Sequence, residues 1–405
     1  MDQRIIQEAR RYAASCRTEE VELLRRLASI PSPTRHEGLR ARFVRDWFVR
    51  QGADPESVRI DDAGNVVLHI ADDGVSDLAV FAAHTDVVFP DTQPIPVTEH
   101  DGRMEAPGVG DDTANLVGLM LATRQMLRHR DHLRRGVLVV ADTCEEGLGN
   151  LRGTKELFQR YASRVHTFVS FDLYLGECVV HAVGSHRWKL RVTTQGGHSW
   201  EDFGRANALE VACRIVEGLY ALPRPDDART SVNVGRMEGG TTVNAIAAAA
   251  EVVLEYRSTS DEALAQMRSG LEALIDSCRS DEVAIELELL GVRPASGDVD
   301  GSLEGRLVAA ADEAISAVAG EKVRHTASST DANVPLSLGI PAITVGAVAG
   351  GLLHTRDEWV DESSLPRGLA MTYALMAHLS GLHAEQDADV AKTDAPEAEG
   401  NKDVA

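Results

Sequence analysis

The sequence predicts an α/β protein whose layered sheet is interrupted by an inserted α+β unit. Short, solidly apolar runs recur along the chain without polar–apolar alternation, which is typical of parallel strands buried on both faces. Helical patterns lie between these runs, as a layered α/β fold requires. In the middle of the chain the pattern changes to alternation, which is typical of strands with one face in water. The apolar runs are LAVFAA (78–83), GVLVVA (136–141), TFVSF (167–171) and PAITV (341–345).

Helix signals come first along the chain. Apolar residues at helical spacing predict a helix over 19–29, which Ile30-Pro31-Ser32-Pro33 ends because residues before proline disfavour helical backbone. A second helix is predicted over 37–51, closed by Gly52. Further helices are predicted at 113–130, 153–163, 206–221 and 261–279.

The changes of pattern set the predicted domain boundaries. At 405 residues the chain exceeds what one hydrophobic core usually covers, so two folding units are expected. Residues 1–183 and 294–383 are predicted to form two parts of one domain, with 184–293 as the inserted unit. Residues 384–405 have almost no bulky apolar side chains, which predicts an acidic, disordered tail.

Composition disfavours several classes of protein. A net charge of −22 disfavours nucleic acid, whose phosphates favour a basic surface. The N-terminal segment lacks the apolar stretch of a signal peptide, and no run approaches the roughly 20 apolar residues of a membrane span. The five cysteines are scattered without a CxxC pair, which argues against a disulfide framework or a thiolate zinc site. We therefore expect a cytoplasmic protein without a nucleic-acid or membrane partner.

Residues able to bind metal follow each of the apolar runs. Since ligands in open α/β sheets bind outside the carboxyl ends of the strands, these residues are expected to lie together. Each motif alone is weak evidence for a metal site. Their shared position at the ends of predicted strands makes the combined evidence strong. They are His84-Thr85-Asp86, Asp142-Thr143-Cys144-Glu145-Glu146, Asp172 and His354, with Gly108-Val109-Gly110-Asp111-Asp112 at the start of a helix.

The residue types suit a pair of divalent metal ions. Imidazoles and carboxylates offer nitrogen and oxygen ligands to ions such as zinc, and one carboxylate can bridge two ions about 3.5–4 Å apart. Positions i and i+2 of an extended chain face the same side, so Asp86 is better placed to orient His84 than to bind metal. Of the adjacent Glu145 and Glu146, one can bind metal while the other transfers a proton.

These motifs resemble those of the M20 family of two-zinc peptidases and deacylases, and within it the peptidase T-like, tripeptide-aminopeptidase-like branch. The resemblance extends from about residue 20 to 382, through AAHTDVV, GVGDD, CEEGLGNLRG and HTRDEWV. It implies a zinc-peptidase-like layered-sheet catalytic domain, with the inserted α+β unit as a lid and dimerisation domain. A homodimer formed through that unit is therefore expected.

The resemblance also implies a role for each site residue. Asp86 would support His84, and Glu145 would act as general base and then as general acid. Asp111 would bridge the two ions, and the peptide bond that follows it would be cis. The implied ligands are His84, Asp111 and Asp172 for one metal, and Asp111, Glu146 and His354 for the other.

The inserted unit carries three further residues of the resemblance. Gly196-Gly197-His198-Ser199 resembles the motif of a lid histidine that reaches across a dimer to stabilise the oxyanion. The segments EGGTTVNAI (238–246) and EYRS (255–258) resemble those that place Asn244 and Arg257 on a substrate carboxylate or carbonyl. The chain departs from the family pattern at Thr113, where many members carry Lys, and at Trp200, where a small residue or Pro is common.

The implied function is two-metal-dependent hydrolysis of amide bonds in short peptides, with an aminopeptidase acting on di- and tripeptides as the first interpretation. The resemblance implies Asp at position 172 for aminopeptidase types and Glu for carboxypeptidase and deacylase types. An N-acyl amino acid deacylase with the same metal site is the alternative. A metal-binding protein without turnover is disfavoured, because binding alone does not need Glu145. The expected cofactors are two divalent ions, zinc first, with cobalt or manganese able to substitute in vitro.

Overall fold

Strands and helices alternate along the chain, with more short strands than the apolar runs predict. The computed structural model describes residues 1–226 and 228–382, so the predicted tail at 384–405 lies outside the described residues. The strands are β1 (Val58–Ile60), β2 (Val66–Ile70), β3 (Leu78–His84), β4 (Thr98–His100), β5 (Arg103–Glu105), β6 (Gly136–Asp142), β7 (Val165–Leu175), β8 (Glu177–Ala182), β9 (Gly184–Thr193), β10 (Gly197–His198), β11 (Thr230–Gly239), β12 (Ala245–Ile246), β13 (Ala249–Ser258), β14 (Ala284–Arg293), β15 (Arg324–Ser328), β16 (Ala342–Gly346), β17 (Gly350–Gly351) and β18 (Trp359–Asp361). The α-helices are α1 (Gln3–Ala28), α2 (Gly38–Arg50), α3 (Asn115–Arg128), α4 (Arg152–Tyr161), α5 (Ala208–Ala221), α6 (Asp261–Cys278), α7 (Gly301–Glu313), α8 (Asn333–Ser337) and α9 (Leu365–Leu379).

One mixed sheet organises most of the chain. In the described residues its eight strands lie in the order β1-β2-β6-β3-β7-β16-β8-β15. Strand β3 runs parallel to β6 and β7, and β7 runs parallel to β16. Strand β2 pairs with β6 in the antiparallel direction. The predicted α/β class is confirmed, and the carboxyl ends of β3, β6 and β7 lie at one edge of the sheet.

Helices cover both faces of this sheet, which explains why the apolar runs lack alternation. On one face Phe81 of β3 belongs to the apolar core that α1, α3 and α9 complete. On the other face Val80, the preceding residue, packs in a second core with Leu157 of α4 and Leu336 of α8. Successive residues of β3 therefore enter different apolar layers, and both must be hydrophobic.

Residues 184–293 form a second sheet with its own core. Its order is β11-β13-β9-β14, and β13 alternates buried and partly exposed residues along its length. Helices α5 and α6 pack on this sheet, and the core includes Trp188, Leu254 and Tyr256. Ser185 in β9 is paired with Arg293 in β14, so the chain enters and leaves this unit on adjacent strands. The predicted domain boundaries and the role of this unit as a lid stay predictions.

Two local expectations differ from the structure. Helix α1 begins at Gln3 rather than at residue 19, because apolar residues such as Ile5 and Ile6 already face the core. The buried-strand pattern that returns over 323–345 predicts buried strand there, but residues 324–328 form the edge strand β15 and are largely exposed. Among helices of the described residues, none has the length and apolar character needed to cross a bilayer.

Candidate metal centre

The first part of the site is the end of β3. His84 is its last residue, and the imidazole is almost completely buried. Its Nδ1 lies 3.0 Å from the backbone oxygen of Asp86 and 3.5 Å from a carboxylate oxygen of that residue. Its Nε2 lies 2.9 Å from Oδ1 of Asp111. Asp86 therefore orients the ring from one side, which directs Nε2 towards the other acidic residues.

Asp111 lies at the centre of the cluster, on the turn that precedes α3. The peptide bond between Asp111 and Asp112 is cis, as the resemblance implies. One carboxylate oxygen of Asp111 lies 2.9 Å from His84 Nε2, and the other lies 3.0 Å from His354 Nε2. Burial opposes it, but the two imidazoles lower the pKa of Asp111. Both oxygens thus have a histidine nitrogen as neighbour, which is the arrangement a bridging carboxylate needs.

Glu358 fixes the turn that carries Asp111. Its carboxylate accepts hydrogen bonds from three backbone N–H groups, those of Gly108 at 3.2 Å, Gly110 at 2.8 Å and Asp111 at 2.7 Å. Gly110 cannot carry a side chain here, because a Cβ would lie 2.9 Å from Oε1 of Glu358. Gly110, the second glycine of GVGDD, is therefore required by the close approach of Glu358.

The loop after β6 carries Glu145 and Glu146, and Asp86 holds it in place. The backbone N–H of Glu145 donates to Oδ1 of Asp86 and that of Glu146 donates to Oδ2, both at 3.0 Å. Thr34 also donates to Asp86, at 2.9 Å. One buried carboxylate therefore fixes both the ring of His84 and the adjacent glutamates.

Glu146, Asp172 and His354 complete the acidic cluster. Donor atoms of His84, Asp111 and Glu146 all lie within 4.8 Å of one another, and Nε2 of His354 lies 3.4 Å from Oε1 of Glu146. Donor atoms of His84, Asp112 and Asp172 form a second such group. Asp112 also accepts the backbone N–H of His84 at 2.8 Å, a structural role for the second aspartate.

The donor set fits two divalent cations. Burial raises the pKa of Glu146 to about 7, and it raises the pKa of Asp172 well above its ordinary value. Asp111 is the next cause in both cases, since like charges this close repel one another. Buried carboxylates of this density need counter-ions, and nitrogen and oxygen donors are ligands that zinc accepts.

A cavity of about 340 Å³ opens beside the cluster. Acidic residues and His354 line it together with three arginines of the inserted unit, Arg187, Arg257 and Arg293. Glu255 accepts from Arg257 at 2.8 Å and from Arg187 at 3.3 Å. The sequence-predicted Arg257 thus reaches the cavity that contains the predicted metal ligands.

His198 and Asn244 lie elsewhere, on a small ribbon of the inserted unit. Strands β10 and β12 pair His198 with Ala245, the residue after Asn244. Nδ1 of His198 accepts the backbone N–H of Trp200 at 3.2 Å, and both predicted residues are exposed. Neither is among the described residues that line the cavity beside the metal cluster. The structure therefore places His198 and Asn244 close to each other. Both lie away from the metal ligands of their own chain.

Sequence reasoning missed several residues that shape the site. Arg293 contacts Glu145, Glu358 fixes the bridging turn, and Arg187 donates to the backbone oxygen of Gly147 in the glutamate loop. The segment SSTDANVPLSLGIP (328–341) resembles a substrate-side loop of the family, with a helix cap as the alternative role for Asp331; its carboxylate accepts from Thr154 and does not cap α8, which Ala332 precedes. Arg187 and Arg293 lie outside recognisable motifs, and only the alternation of the inserted strands indicates that they face inward, whereas Glu358 lies within the motif HTRDEWV but is not assigned a role by it.

The model of peptidase family M20/M25/M40 matches residues 80–378, and the chain belongs to this family. It is 25% identical over 353 residues to succinyl-diaminopimelate desuccinylase of Corynebacterium glutamicum. This match covers 84% of this chain and 91% of that protein. It is 26% identical over 348 residues to acetylornithine deacetylase of Myxococcus xanthus, covering 80% of this chain and 87% of the relative.

Solved structures share the fold. Aminopeptidase PepT from Bacillus cereus superposes with a TM-score of 0.69 at 22% identity, covering 89% of this chain and 97% of that one. A dinuclear metal binding peptidase of the M20 family, the YXEP protein of Bacillus subtilis, superposes with a TM-score of 0.62 at 18% identity, covering 91% and 100%. The chain is thus an M20 hydrolase of the peptidase and amidohydrolase type, and its donor groups support two metal ions.

Proposed function

We propose that this hydrolase removes the N-terminal residue from di- and tripeptides, using two zinc ions. The observation that carries the proposal is Glu145, which lies at a cavity that also contains Asp111, Glu146, Asp172 and His354. A carboxylate that lies beside a metal-ligand cluster without being one of the proposed ligands is what amide hydrolysis requires and what simple metal storage does not.

Five residues would hold the ions. Bound there, two divalent cations polarise a carbonyl group and lower the pKa of a water molecule. Asp86 orients His84 in this arrangement, through the 3.0 Å contact of its backbone oxygen. The proposed ligands are His84, Asp111 and Asp172 for one ion, and Asp111, Glu146 and His354 for the other.

Glu145 is the proposed proton carrier. It takes a proton from the attacking water and then gives it to the amine that leaves, so the residue ends the cycle in its starting state. Its backbone N–H is fixed on Asp86 at 3.0 Å, which keeps the carboxylate beside the ligand glutamate. This fixed position supports general acid–base catalysis, since the proton need not be carried by bulk water.

The aminopeptidase direction rests on Asp172. Its side chain is shorter than the glutamate that the resemblance implies for deacylases, which leaves room for a free α-amino group near the acidic cluster. Arg257 would hold the substrate carboxylate or a backbone carbonyl at the other end of the cavity. A cavity of about 340 Å³ between these two limits suits a short peptide.

A homodimer is part of the proposal, because His198 and Asn244 need access to a substrate. Three large apolar side chains near this ribbon are exposed: Trp200 by 81%, Phe203 by 89% and Val243 by 100%. Exposed apolar groups of this size favour burial against another surface. A second copy would cover them and bring His198 to its partner's site, where the imidazole would stabilise the oxyanion.

An N-acyl amino acid deacylase is the second candidate. The desuccinylase and deacetylase relatives favour it, since each is named for removing an acyl group. The same metal ligands and Glu145 would serve this reaction, so the substrate's amino end separates the two candidates.

The deciding experiment pairs free tripeptides with the same peptides N-acetylated, with zinc added, and identifies the products. We expect release of the N-terminal residue from the free peptides and a marked reduction after acetylation, because the blocked amine cannot interact with Asp172. Equal or faster cleavage of the acetylated series would assign the deacylase function instead.

A further inference from the structure

A second cavity adjoins the one beside the metal cluster. It has a volume of about 230 Å³, several times the roughly 30 Å³ that one water occupies in the liquid. The two cavities share Arg257, Ser328 and Ser329. The second cavity, which we call the Arg229 cavity, therefore adjoins the metal-site cavity at Arg257 and these two serines. Its other lining residues are Val183, Arg229, Ser231, Thr259 and Ala327.

Arg229 places a further cation at this cavity. It lies immediately before β11 and is exposed, and among the described residues its side chain makes no hydrogen bond or ion pair. Its backbone oxygen accepts from the N–H of Thr259 at 3.4 Å, which ties this point of the chain to the end of β13. The guanidinium is thus anchored at its base and free at its tip.

The charge of the joined cavities opposes that of the whole chain. The protein has a net charge of −22, yet in the described residues the two cavities are lined by four guanidinium groups. Within the described part of the chain, two carboxylates pair with them: Glu255 with two arginines, and Glu145 with one. Two positive charges are therefore left over. The four arginines are Arg187, Arg229, Arg257 and Arg293.

We propose that the Arg229 cavity binds a second anionic group of the substrate. Resting on the proposed function, this makes the enzyme selective for amide substrates with two carboxylates on the same side of the scissile bond, such as peptides ending in Glu. Arg257 takes one carboxylate, as its place between the two cavities requires. Arg229, assisted by the hydroxyls of Ser231 and Thr259, takes the other, because guanidinium binds carboxylate with paired hydrogen bonds.

Matched substrates test this directly. The tripeptides Ala-Ala-Glu and Ala-Ala-Gln, each free and N-acetylated, differ only in the second charge, and kcat/KM is measured with zinc present. We expect a preference of at least about tenfold for the Glu substrate, the scale of one charge-assisted hydrogen bond. Arg229→Gln should abolish the preference by lowering kcat/KM for the Glu substrate, and Arg229→Lys should restore part of it.

Arg17→Gln is the control, since it removes the same charge from an exposed site on α1. It should keep the wild-type preference. Equal use of both substrates by the wild type, or a preference that survives Arg229→Gln, would overturn the proposal. If no substrate is hydrolysed, the proposed function fails. Calorimetric binding of Ala-Glu against Ala-Gln to wild type and Arg229→Gln then decides the subsite separately.

Discussion

Arg293 donates from Nη1 to Oε1 of Glu145 at 2.9 Å, and from Nη2 to the backbone oxygen of the same residue. Arg293 is the last residue of β14 and is 4% exposed. The end of the inserted unit is therefore in direct contact with the proposed general base. A buried pair of this kind restricts the carboxylate to one position, and breaking it leaves a charge without a partner.

Substituting Arg293 should mainly affect the chemical step. Arg293→Gln is expected to lower kcat by about tenfold or more with little change in KM, because Glu145 loses its fixed orientation. Arg293→Lys should recover part of kcat, since it keeps the charge but not the paired geometry. Steady-state kinetics on one tripeptide measures this split. A raised KM with unchanged kcat would show that Arg293 binds substrate instead.

Glu145 and Glu146 should separate turnover from metal binding. Glu145→Gln is expected to retain two bound metals and to lose at least about 100-fold in kcat, the scale of general acid–base catalysis. Glu146→Ala should instead reduce the metal content, because it removes a potential ligand atom that lies within 4.8 Å of the ligand atoms of His84 and Asp111. Elemental analysis and kinetics on the same preparations provide both values. Normal turnover by Glu145→Gln would refute its role as proton carrier.

Mixed dimers should test whether His198 acts across subunits. His198→Ala and Glu145→Gln proteins are each expected to be nearly inactive, whereas their mixture should regain activity. Each mixed dimer would hold one site with both an intact Glu145 and a partner's His198. Subunit exchange is demonstrated separately with differently tagged copies. If exchange occurs and activity does not return, His198 does not act in trans.

The stability of the folded chain should depend on pH through Glu20, which is not one of the proposed site residues. Glu20 in α1 is 1% exposed, its Oε2 has no hydrogen-bond partner, and burial raises its pKa from 4.5 to about 8. The folded state therefore binds this proton more tightly than the unfolded state, so stability falls as pH rises from about 4.5 to about 8.

Glu20→Gln removes that titration. We expect the variant to melt at a higher temperature than wild type at pH 8.5, by an amount corresponding to a few kcal/mol, and near the wild-type temperature at pH 4.5. Glu22→Gln, at an exposed position of the same helix, serves as the control. A difference in melting temperature that is the same at both pH values would contradict the assignment.

Much of the site could be predicted because strand ends converge. His84 and Asp172 follow buried runs whose strands pair in one sheet, so local sequence and sheet geometry are sufficient to bring them together. Arg293 gives no such signal, since it is one arginine at the end of an alternating strand. Its contact with Glu145 depends on how the two sheets meet, over a separation of 148 residues. The exposure of β15 depends likewise on its place at the sheet edge.

The pairing of Ser185 with Arg293 has a consequence for the modular construction of the protein. Opposite residues of an antiparallel pair lie about 4.5–5.5 Å apart, a distance that a two-residue hairpin turn spans. A short turn could therefore replace everything between these two positions without changing the path of the main sheet. We therefore expect the second sheet to be exchangeable as a whole, with Arg293 as the residue through which a replacement would contact Glu145.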